Sequence, residues 1–211
     1  PNPAGDADEI MALITHTING VAWRYAEYSE AEWFEEDGIS NAFFMDCGAT
    51  YSGSPATTIS GLFHMEGAAV NVLADGINIT GKTVSGGKIT LSTAASIVQV
   101  GLNQAAKLAL LRLSAGSERG TALTRIKRIS KVIFRLLSTL GGKAGTTETK
   151  LETLPFRYTS DDMDEPPSVF SDDYPVVWNG GYETSGIVWY VQDLPLPVTI
   201  IAIVQECETE G

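Results

Sequence analysis

The residues able to do chemistry are few. His16 and His64 are the chain's two histidines, and His64 stands two positions before Glu66. A histidine and a carboxylate at that spacing could pass a proton, and His16 could add a metal ligand. His-x-Glu without a clustered second His or Cys is not a zinc motif, however, and the two histidines lie far apart in the chain. Cys47 and Cys207 follow no ligand spacing either, and read as reduced, half-buried thiols. Glu35, Glu36 and Asp37 could imitate a glycosidase pair, yet adjacency in sequence does not supply the carboxyl separation of about 5–10 Å that such a reaction needs. Asp161, Asp162 and Asp164 could offer oxygens to calcium, but the glycine and twelfth-position glutamate of an EF-hand are missing, so a solvated loop is expected. No Gly-x-Ser-x-Gly run or phosphate loop occurs, and Asp75-Gly76 reads as a turn at a strand end. The expectation is a protein with no catalytic residue, no metal and no cofactor: not an enzyme.

Charge is more informative. The net charge of −12 argues against whole-protein affinity for nucleic acid, but eleven of the fourteen basic residues fall between Lys107 and Arg157, and 119–143 contains no acid. Acidic runs occupy 27–46 and 161–173. Such segregation suits a basic face that meets an acidic face of another subunit, or a polyanion; a solvated basic strand is the plain alternative. The candidate basic surface, facing a subunit or DNA, is Arg125, Lys127, Arg128, Lys131 and Arg135. The candidate acidic partner surface is Asp161, Asp162, Asp164, Asp172 and Asp173. Aromatic residues concentrate in 23–44 and 178–190, where they could form a carbohydrate-binding platform, although packing uses such residues more often.

The elements that must carry these residues read as strands. Two β-rich stretches flank Asn19-Gly20, the strongest short hairpin signal. "AFFMDCGATYS" and "AAVNVLADG" are strands, the latter with Val70 and Val72 on one face. "INITGKTVSGGKITL" reads as two short strands with turns at Gly81 and Gly86-Gly87, "SGSP" at 52–55 as a turn, and "SIVQVGL" and "KLALLRL" as further strands. "TRIKRISKVIFRLLSTLGG" has apolar residues at helical spacing, but its β-branched core favours a strand. A polar connection with Pro166-Pro167 follows, then "GIVWYVQD" and "PVTIIAIVQECE"; the last is apolar enough to be a strand covered on both faces. The predicted class is mainly β, with short antiparallel strands in small barrel or sandwich modules of a propeller-like body. The predicted divisions are 1–52, a hairpin and strand region packing with the C-terminal strands; 53–104, a small β module; and 105–211, a β region with a long acidic, proline-containing loop.

A chain of 211 residues is long enough to bury a core, and no apolar run approaches the roughly 18 residues of a membrane span. It opens Pro1-Asn2-Pro3, with no initiator methionine or signal sequence, and is expected to be a processed chain or part of a longer protein.

Several stretches together carry a resemblance. "AFFMDCGATYSGSPATTISGLFHMEGAAVNVLADG", then "KTVSGGKITL", "ASIVQVGL", "RIKRISKVIFRLLSTLGG" and "LPFRYTSDDMDEPPSVFSDDYPVVWNGGYETSGIVWYVQDLPLPVTIIAIVQE", follow in order over nearly the whole chain. They resemble the C-terminal portion of bacteriophage tail nozzle or tail tubular proteins, some of which carry a module like the FCCH domain of ubiquitin-activating enzymes. The family's usual "HLEG" reads "HMEG" here. The resemblance implies an FCCH-like module at 53–104 and a virion structural role in the phage tail, assembled in the host cytoplasm. It further implies a ring of identical subunits, commonly a hexamer, beside adaptor and fibre proteins, that retains double-stranded DNA and passes it during ejection. A receptor- or carbohydrate-binding β module at the tail tip is the alternative, and a cell-wall hydrolase using Glu35, Glu36 or Asp37 is a third.

Overall fold

The computed structural model describes residues 10–114, 116–117, 120–121, 123, 125–157, 159, 161–162 and 165–209. The chain forms two units, one built by the chain up to Gln104 with a short piece ending at Pro166, the other by the chain from Ala105 onward. No helix among the described residues is long and apolar enough to cross a membrane.

The first unit opens with the hairpin of β1 (Met11–Ile18) and β2 (Val21–Tyr28). Asn19 and Gly20 take φ of 51° and 77°, the pair of positive values a two-residue type I′ turn needs, so the sequence signal is realised as read. Then come β3 (Asp46–Ser60), β4 (Ala69–Ala74), β5 (Ile77–Thr83) and β6 (Lys88–Leu102), antiparallel in the order β3-β6-β4-β5. Asp75-Gly76 is the β4–β5 turn, with φ of 46° and 82°. Val70, Val72 and Ala74 enter a core with Ile18, Ile59, Leu62, Met65, Val98 and Val100.

Two local expectations are corrected. Residues 52–55 are no turn: they form an irregularity within β3, between its pairings Ser52↔Ile97 and Ala56↔Ala95. Likewise "KITL" and "SIVQVGL" are one strand, β6, and Gly81, at φ +74°, lies inside β5. Small polar residues in both places look like breaks in the chain, but the ladder on the partner strand continues past them, and bulges absorb the extra residues. Position 52 therefore lies inside β3, and residues 10–52 and 53–104 share one unit.

The second unit holds β7 (Ala106–Ala109), the short pair β8 (Gly116–Ser117) and β9 (Gly120–Thr121), β10 (Lys127–Leu137), β11 (Lys143–Thr147), β12 (Lys150–Thr153), β13 (Asp173–Val177), β14 (Trp189–Gln192) and β15 (Thr199–Thr209). One sheet has the order β13-β10-β15 and another β12-β11-β14-β7. They meet where Phe134 and Tyr190, both buried, pack at a tilt of 55° with ring centroids 5.5 Å apart. β10 is a strand, as its β-branched core favours. The helical spacing of its apolar residues has a strand explanation: Ile129 is buried, the register slips at Ser130, and Val132, Phe134 and Leu136 are then buried in the opposite phase. One inserted residue moves every later side chain to the other face, so a period of 2 is disguised as a longer one.

β15 departs from expectation. It is an edge strand whose one sheet neighbour among the described residues is β10, and Ile201 and Val204 are exposed, so its apolar run does not mark a strand covered on both faces within this chain. The class is mainly β and antiparallel. The sheets among the described residues stay open, however: β3 and β5, and β13 and β15, are free edges, whereas a barrel or propeller body would require closure of the sheet or its repetition around an axis.

Candidate functional site

His64 and Glu66 do not work together. Glu66 reaches the β5–β6 turn, where its carboxylate accepts hydrogen bonds from the Gly86 and Gly87 N–H groups at 2.9 and 2.7 Å. Both glycines have positive φ, and a Cβ on Gly87 would lie 2.5 Å from the Phe63 ring, so the turn and the 3-10 segment Phe63–Met65 are shaped to one another. His64 donates from Nε2 to the Cys47 carbonyl at 3.0 Å, and its own carbonyl accepts from the Tyr25 hydroxyl at 2.8 Å.

The tertiary structure thereby gathers residues that sequence spacing kept apart. The hairpin register places His16, opposite Trp23, and Glu27, opposite Ala12, on one face, and His16 Nε2 meets Glu27 Oε1 at 2.6 Å. Cys47, at the start of β3, completes the group: the His16, Glu27 and Cys47 ligand atoms all lie within 4.8 Å of one another. Cys47 adopts φ of 52°, unusual for a residue with a Cβ, where β3 and β6 slip in register. Burial, and then the nearby Glu27 and Asp46 carboxylates, push its pKa up to about 11. The parity of the hairpin, legible from Asn19-Gly20, would have put His16 and Glu27 on one face. Nothing in the sequence pointed to Cys47.

The basic candidates separate by face. Lys127 is fully buried; its Nζ donates to the Leu113 carbonyl at 2.8 Å, and its backbone pairs with Glu183. It faces neither solvent nor a partner. Arg125 and Lys131 are half-buried, and Arg128 is exposed with its guanidinium 5.8 Å from the Tyr182 ring centre. Arg135 makes a two-pronged contact with Asp173, at 2.7 and 2.8 Å. That contact holds the Asp173 carboxyl below its ordinary range. The outer face of this sheet is a ladder of opposite charges, with Arg128 opposite Glu208, Lys131 opposite Glu206, and Arg135 opposite Asp173. The acids that face the basic strand therefore come mainly from β15, which the sequence reading did not single out. Asp172 caps the Asp173 N–H at 2.7 Å, Asp161 is half-buried, Asp162 is exposed with its carbonyl accepting from Arg157 at 3.2 Å, and Asp164 lies outside the described residues.

The remaining candidates offer little chemistry. Glu35, Glu36 and Asp37 occupy one exposed 3-10 turn, where the Asp37 carboxylate accepts from the Phe34 N–H at 2.8 Å. Trp178 and Tyr190 are buried and Trp189 is half-buried, which leaves Tyr182 as the single exposed aromatic of 178–190, too little for a sugar platform. No profile of a known protein family matches the chain, and no curated protein matches it.

Proposed function

We propose that this chain is a structural subunit of a bacteriophage virion, built into the tail nozzle or tube as one copy in a ring that retains and then passes double-stranded DNA. The supporting observation is β15: an eleven-residue edge strand with exposed Ile201 and Val204, in a sheet whose opposite edge strand, β13, exposes Val177. A long apolar edge left bare invites pairing with another chain, and proteins that keep one need a partner to cover it. A head-to-tail contact repeated by rotation covers every copy's edge when the ring closes. In this arrangement the copies meet through the apolar strip of β15. The charge ladder on the same face adds little to that contact, because each basic residue already has an acidic neighbour within its own sheet. An overall acidic protein lining a DNA channel repels phosphate and keeps passage free. Adaptor and fibre proteins are its neighbours in the tail.

The test is to purify particles containing the chain and image them, alongside sedimentation of the full-length protein. The expected result is a symmetric ring, commonly of six copies, at the tail. A protein that stays monomeric within purified virions would overturn the proposal.

A further inference from the structure

We propose that His16, Glu27 and Cys47 bind a divalent transition-metal ion of the zinc class, which fastens the β1–β2 hairpin to β3. The donor set is one imidazole, one carboxylate and one thiolate, the mixture that borderline-soft ions take and that magnesium and calcium do not. The three ligand atoms already lie within 4.8 Å of one another, whereas tetrahedral bonds of about 2.0–2.3 Å place ligand atoms about 3.3–3.7 Å apart. Closing on an ion thus asks for side-chain shifts of about 1 Å, and the His16–Glu27 contact of 2.6 Å must open slightly. Side-chain exposures of 14% for His16 and 20% for Glu27 leave a path for the ion and a fourth position for water.

The surroundings fit a site held in place from outside. His64 clamps the Cys47 backbone by donating to its carbonyl, and the Tyr25 hydroxyl holds the His64 carbonyl, so the loop before β4 and the hairpin both brace the cysteine. The left-handed backbone of Cys47 costs free energy and sits at the point where the thiol turns towards the two hairpin residues. The hairpin itself gives a reason for a fastening. Most of its residues are exposed, Ile18 is its one buried apolar side chain, and an isolated two-stranded hairpin is marginal in water. Proton balance is simple: the Cys47 thiol releases its proton to solvent as the thiolate binds, and His16 carries its remaining proton on Nδ1 while Nε2 binds the ion.

The experiment uses the full chain, stripped with chelator and titrated separately with Zn²⁺, Co²⁺ and Mg²⁺. One equivalent of Co²⁺ should produce a thiolate-to-cobalt absorption band, and Zn²⁺ should displace it. Cys47→Ser should abolish the band, Cys207→Ser should leave it, and His16→Gln should weaken Zn²⁺ binding by more than the roughly 10–100-fold typical of losing an outer-shell partner. Zn²⁺, but not Mg²⁺, should raise the melting temperature and slow amide exchange across residues 11–28. A cobalt spectrum without a thiolate band, or a band that survives Cys47→Ser or vanishes with Cys207→Ser, would overturn the assignment. Should Cys47→Ser fail to fold, the native protein decides: zinc-dependent slowing of exchange that spares residues 11–28 would also overturn it.

Discussion

Glu66 shows how a residue that looks like part of an acid–base pair can serve a turn. Its two charge-assisted bonds hold Gly86 and Gly87 in left-handed conformations at the entry to β6. Glu66→Ala should therefore lower stability by about 1–3 kcal/mol, and Glu66→Gln by less, read from the midpoint of urea unfolding. His64→Ala should not mimic it, because the His64 ring is hydrogen-bonded to the Cys47 carbonyl. Cys47 gives a pH signature in the metal-free protein. A thiol raised to about 11 favours its neutral form in the fold, so its contribution to stability is complete below the ordinary thiol range and is lost as pH rises through about 11. The same shift should make Cys47 alkylate far more slowly than Cys207 at pH 8, with rates followed by mass spectrometry.

At the scale of elements, β10 organises the second unit, and Lys127 anchors its first residues from inside. Lys127→Ala removes a buried stem and leaves the Leu113 carbonyl without this donor, a loss of about 2–5 kcal/mol in denaturant unfolding. Any weak affinity of the protein for DNA should be unchanged by it when measured at fixed salt. The β11–β12 hairpin tolerates no side chain at Gly145, where a Cβ would sit 1.8 Å from the Lys150 carbonyl oxygen. Gly145→Ala must displace β12 and should cost more than the roughly 1 kcal/mol typical of a glycine exchange, with loss of amide protection at 150–153. On the outer face, Arg135 holds Asp173 ionised to lower pH than an isolated carboxylate. A depressed acid stabilises the fold above its ordinary pKa and ceases to as pH falls through the shifted value. Arg135→Gln should accordingly lower the urea midpoint slightly at pH 7 and leave it unchanged in strong acid.

For the whole molecule, the bare edge of β15 is the feature that asks for company. Ile201 and Val204 point away from the core of the unit, so Ile201→Lys and Val204→Lys should change monomer stability by less than about 0.5 kcal/mol. Sedimentation of the proposed ring should show the variants shifted to monomer, because a charge on an edge strand opposes pairing with a second chain. Added salt should weaken the proposed assembly only modestly, since the charged residues of this face already stand opposite one another within the sheet.

The strands and their turns were legible wherever the cause is local. Asn19-Gly20 and Asp75-Gly76 specify their hairpins because few other dipeptides accept two positive φ angles, and the alternation of Val70 and Val72 specifies a buried face. Local signals failed where a bulge stood in for a break, as in the merging of "KITL" with "SIVQVGL", because only the neighbouring strand shows that the ladder continues. The net acidity and the basic stretch were plain in the sequence, but register alone put Glu206 and Glu208 opposite Lys131 and Arg128 and withdrew Lys127 into the core. The same holds for His16, Glu27 and Cys47. Composition supplied the three side chains, the hairpin supplied two of them on one face, and the packing of that hairpin against β3 brought the third within reach. Contacts between residues distant in the chain depend on how whole elements pack, and no window of sequence contains that information.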